Sequence, residues 1–91
     1  MRLLGRISQL QLVNKGVIMV VLTFYSTHLA LYAEKLAKEA GLKGKLMPVP
    51  RQLSSSCGLC LRLPEIEVDR ALYLLEHSGV EVDGVHPLPE R

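Results

Sequence analysis

Ninety-one residues make one small domain, and the 48% of them that are apolar supply a modest core without disulfide or metal staples. The formal net charge is +2, and the only aromatic residues are one Phe and three Tyr. Such weak, interspersed charge excludes a nucleic-acid surface, and so few rings exclude a base-stacking platform.

The first sixteen residues read as an N-terminal extension, with the domain itself spanning residues 17–91. Arg2 and Arg6 have the look of a signal peptide, but Ser8, Gln9, Gln11, Asn14 and Lys15 interrupt any apolar region behind them. Ile7 to Val13 followed by Asn14-Lys15-Gly16 resembles the first arm and turn of a hairpin. Alternatively, Met19 is the natural start and the preceding residues are no part of the domain. The apolar run Val17 to Phe24 is too short to span a bilayer, so no membrane partner is expected. Two cysteines without a secretion signal fit a reducing compartment, and the expected location is the cytoplasm.

Val17 to Phe24 is rich in β-branched residues and does not alternate, which predicts a central strand buried on both faces. Ser26 or Thr27 then caps a helix over His28 to Ala40. Its inner positions are Leu29, Ala33, Leu36 and Ala40, with Ala30 and Ala37 beside them, and Gly41 stops it. Leu46 to Val49 is a short strand that Pro48 and Pro50 confine to an edge. Arg51 to Ser56 is a loop, and Leu59 to Leu63 is a third strand that ends at Pro64. A second helix runs near Val68 to His77 with Val68, Ala71, Leu72 and Leu75 as its core stripe, and Gly79 ends it. Val80, Val82 and Val85 alternate with Glu81 and Asp83 around a turn signal at Asp83-Gly84, giving a fourth strand or an extended tail.

Strand, helix, strand, strand, helix, strand is the ferredoxin-like βαββαβ plan of the α+β class, an antiparallel sheet with two helices on one face. That topology carries a consequence. The end of the first strand and the loop between the second and third strands share one end of the domain. Ser26, Thr27 and His28 therefore meet Arg51, Ser54, Ser55, Ser56, Cys57 and Gly58 there. A helix N-terminus, an arginine and a histidine together favour thiolate over thiol at Cys57. The serine hydroxyls can donate to an anion, and Gly58 lets the backbone bend.

The segments TFYSTHLALYAEKLAKEAG and GKLMPVPRQLSSSCGLCLR carry further information. Thr23-Phe24, Ser26-Thr27-His28, Ala33-Glu34-Lys35, Leu46, Pro48, Pro50-Arg51, Ser54 and Cys57-Gly58 stand in the order and spacing of a selenium/sulfur carrier-like family of small bacterial proteins. The resemblance covers Val17 to about Val85. It implies that Cys57 holds sulfur or selenium as a persulfide or selenopersulfide, received from a donor protein and passed to an acceptor. Cys60 is outside the strict family motif, though it could resolve the adduct. No separate cofactor is implied beyond the covalently held atom, and a carrier acts stoichiometrically more than as an enzyme.

Three other readings stand beside this one. Cys57-Gly58-Leu59-Cys60 has the C-x-x-C spacing of a thiol–disulfide pair, although an extended strand would point the two thiols to opposite faces. The pair could also supply two of four metal ligands, with His28, His77 or His86 as further donors, but no second pair is spaced for it. Finally, the domain could be a non-catalytic binding or interaction module in which both thiols are simply buried. Exposed strand edges are compatible with a homodimer.

Overall fold

The computed structural model describes residues 18–53 and 57–88. The extension at residues 1–16, and Ser54, Ser55 and Ser56, lie outside the described residues. The first strand, β1, is Met19–Phe24. Its β-branched residues fill both sides of a pleat. Val20, Leu22 and Phe24 join the main core cluster, while Val21 and Thr23, on the other face, are buried as well. A strand with no wet side belongs in the middle of a sheet, and β1 lies between two antiparallel neighbours.

Helix α1 is Thr27–Glu39. Ser26 caps it, its Oγ accepting from the Leu29 N–H at 3.2 Å. Three alanines, Ala30, Ala33 and Ala37, are buried against the sheet, and their small side chains let the helix approach closely. Leu29 and Leu36 flank them as partly buried contacts. Ala40, expected in the core stripe, is instead the exposed C-cap, because the helix ends one residue earlier. Leu42 takes its place. Gly41, at φ 80°, turns the chain so that the Leu42 N–H reaches the Ala37 carbonyl at 2.9 Å and the leucine drops into the core.

Strands β2, Lys45–Pro48, and β3, Leu59–Pro64, pair antiparallel, with Leu46 opposite Leu61 and Met47 opposite Cys60. A 3₁₀ turn at Glu65–Glu67 leads into α2, Val68–His77. Ala71 and Leu75 are the buried residues of α2, with Val68 and Leu72 packed beside them. The helix start is tied to the α1–β2 loop by the Lys43 N–H, which donates to Glu67 Oε1 at 2.8 Å. Gly79, at φ 79°, repeats the exit of α1: the Val80 N–H meets the Leu75 carbonyl at 2.9 Å and Val80 is buried.

The last segment is a full strand, β4, Val82–Pro87. No turn forms at Asp83-Gly84. The β1–β4 register shifts at Thr23/Phe24, pairing Gly84 with Thr23 but Val82 with Phe24, so Asp83 is the extra residue of a bulge. The sheet order is β2-β3-β1-β4, with all neighbours antiparallel and both helices contributing to one core cluster. This is the α+β ferredoxin-like arrangement. Pro48 and its edge strand stand where the missing N–H is tolerated. No helix among the described residues is long and apolar enough to cross a membrane.

Candidate functional site

The end of the domain where β1 gives way to α1 holds the cysteine region. Cys57 lies in a bend just before β3 and is 2% exposed. The sulfur has polar neighbours. The Leu59 N–H donates to Cys57 Sγ at 3.3 Å, and the Cys57 S–H donates to Thr27 Oγ1, on the first residue of α1, at 3.7 Å. The second contact joins residues thirty positions apart in the chain, and only the β1–α1 crossover brings them together. The Val49 N–H closes the intervening loop by bonding the Gly58 carbonyl at 3.1 Å, and the Leu53 N–H meets the Pro50 carbonyl at 3.0 Å within it.

The electrostatic setting comes from α1. No acidic residue occupies its first turn, so nothing there offsets the positive end of the helix dipole. Ser26 satisfies the Leu29 N–H, while the N–H groups of Thr27 and His28 have no acceptor within the helix. Ser26 is thus a cap, and Thr27 is the side chain that meets the sulfur. His28 and Arg51 are both exposed. Gly58 is exposed too, a Cβ there would meet nothing within 4 Å, and the positive-φ glycines are Gly41 and Gly79. The bend beside Cys57 therefore does not need a left-handed backbone.

Cys60 sits differently. Leu59 and Leu61 face the helices, and strand alternation turns Cys60 to the other side of the sheet, opposite Thr23. It is fully buried, and its S–H donates to the Pro48 carbonyl across β2–β3 at 3.9 Å. Burial, then the nearby charge of Cys57, pushes the Cys60 thiol above its ordinary pKa. The two cysteines are not joined by a disulfide. Among the described residues, no three His, Cys, Asp or Glu side chains gather as a metal site would require.

Two of these partners escape sequence reasoning. The Leu59 N–H and the Pro48 carbonyl are backbone groups, and no residue type announces them. The proline at 48 gave a signal of a different kind, placing β2 at the edge and so placing its carbonyl beside β3. A family model described as "Putative Se/S carrier protein-like" matches residues 19–87. No curated protein and no solved structure matches the chain.

Proposed function

Because the chain belongs to the Se/S carrier protein-like family, we propose that it carries a sulfur or selenium atom on Cys57 as a persulfide or selenopersulfide. The observation that carries this reading is the placement of Cys57 Sγ against Thr27 Oγ1 at the N-terminus of α1, whose first turn holds no acidic residue, with the Leu59 N–H donating to the same sulfur. A terminal chalcogen on Cys57 bears negative charge. Hydrogen-bond donors and a helix dipole are what stabilise such charge in a site away from bulk water.

The loading step balances without an external oxidant. The Cys57 thiolate attacks the outer sulfur of a donor persulfide, R–S–SH. The donor S–S bond breaks, R–S⁻ leaves with the electron pair, and Cys57–S–SH forms. Delivery is the same exchange in reverse, with an acceptor thiolate as the attacking group. Ser26 positions the first turn and Thr27 contacts the sulfur, while Arg51 is a permanent cation in the segment that leads from β2 towards Cys57. Cys57 is 2% exposed, so a donor or acceptor reaches the sulfur only when the structure around it opens.

Cys60 stays a thiol in this account. It is buried on the opposite face, bonded to a carbonyl that prefers the protonated form. A carrier of this kind works in a reducing compartment such as the cytoplasm and turns over no substrate of its own. Intact mass after incubation with a persulfide donor tests the reading. Wild type and Cys60→Ala should each gain one sulfur atom, and Cys57→Ala should gain none. Loss in both variants would replace the carrier with a paired-thiol redox protein.

A further inference from the structure

We infer that the groove between α2 and β4 docks an extended, basic polypeptide segment of a partner protein, which adds as a fifth strand to the open edge of β4. This inference does not depend on Cys57 carrying any atom. Each edge strand carries proline only at its last position, Pro48 in β2 and Pro87 in β4, but β4 has 6 residues against 4 in β2. Among the described residues no strand pairs with the outer side of β4, so Val82 to His86, apart from the bulge at Asp83, present hydrogen-bonding groups for strand addition.

Above that edge α2 leaves space. A cavity of about 410 Å³ lies between Val68 and Val85, with Val20 as its floor. A second, of about 390 Å³, lies farther along the same two elements, between Leu72 and Val82. Val85 is 47% exposed for a residue on the core side of the sheet, so the core is open here. The rim is acidic. Glu65 and Asp69 line the first cavity, Glu76 and Glu81 the second, and all four are exposed. None is in an ion pair, the one ion pair among the described residues being Lys35–Glu39. The field of this end is felt by Tyr25, whose hydroxyl is pushed above its ordinary pKa first by Asp83 and also by Glu81.

Lysine or arginine at alternate positions fits both features. Its aliphatic stem lies along Val68, Leu72 and Val85 while its head reaches the carboxylates. A second copy of this chain fits poorly, since it would bring acidic rim against acidic rim. The groove ends at Val82, the residue paired with Phe24, so a docked partner reaches the same end of the domain as Thr27 and Cys57.

The probe is a short peptide of alternating arginine and valine added to the full chain labelled with nitrogen-15. Amide shifts should concentrate in residues 68–76 and 82–87 and should shrink with salt. The Asp69→Lys/Glu76→Lys double variant should bind about tenfold weaker or worse. Glu81→Gln, on an exposed loop, should weaken binding by a smaller factor and serves if the double variant does not fold. Equal binding of a glutamate–valine peptide, or shifts centred away from β4, would overturn the proposal. So would β4 contacts made by residues 1–17 of the same chain without any peptide, or a concentration-dependent dimer joined through β4.

Discussion

Thr27 is the residue through which the helix meets the sulfur. Its Oγ1 is 3.7 Å from Cys57 Sγ, and it sits one position after the cap that fixes the first turn. Thr27 Oγ1 accepts from the thiol, and on the proposed persulfide anion the hydroxyl would turn to donate, so Thr27→Val keeps the shape and removes about 1 kcal/mol of stabilisation from that anion. The expected result is a Cys57 persulfide that decays about fivefold faster, followed by mass against time, with the fold unchanged. Cys60 offers a pH test. Its native pKa is raised above the ordinary thiol value, so below that value the native thiol is neutral and its contribution to stability is complete. As pH climbs through the ordinary value toward the raised one, the unfolded chain ionises first and stability falls. Urea midpoints of wild type should therefore drop on moving from neutral to alkaline pH more steeply than those of Cys60→Ala. Equal slopes would mean that the buried thiol is not the titrating group. At this scale the sequence was informative where a contact is made by side chains, as for the meeting of Thr27 with Cys57. It was silent where the partner is a backbone group, as with the Leu59 N–H, because position alone decides that.

The elements were legible wherever periodicity and punctuation agree. The unbroken apolar run over β1 announced a strand with no wet face, and Val20, Val21, Leu22, Thr23 and Phe24 are all buried. Gly41 and Gly79 marked both helix ends. Each adopts φ near +80° and lets the next apolar residue, Leu42 or Val80, turn back into the core. Gly79→Ala places a Cβ in open space but in a left-handed backbone, so its cost is conformational, about 1 kcal/mol. A lowered denaturation midpoint with an unchanged slope is the expected outcome. Ala40 and the Asp83-Gly84 pair were misread for a common reason. An alanine at helical spacing cannot show that the helix has already ended, and a turn-forming dipeptide inside a strand can serve a bulge instead.

At the scale of the molecule, the crossover from β1 through α1 to β2 and back along β3 sets Thr27 beside Cys57. Element order alone implied that meeting, because a helix between two strands forces both to run the same way and the next to return. What element order does not contain is the depth of the sulfur. That depth follows from the core cluster, into which Cys57 fits as a small apolar residue while its sulfur keeps polar contacts with Thr27 Oγ1 and the Leu59 N–H. The carrier account requires that this one sulfur, and not its neighbour three residues on, holds the atom. Gln52 to Arg62 contains both cysteines between two arginine cleavage points, so one tryptic peptide carries the answer. Fragmentation of that peptide from persulfide-loaded chain should place the added mass on the portion ending at Leu59, which holds Cys57. Added mass on the portion from Cys60 to Arg62, or its division between the two, would contradict the account.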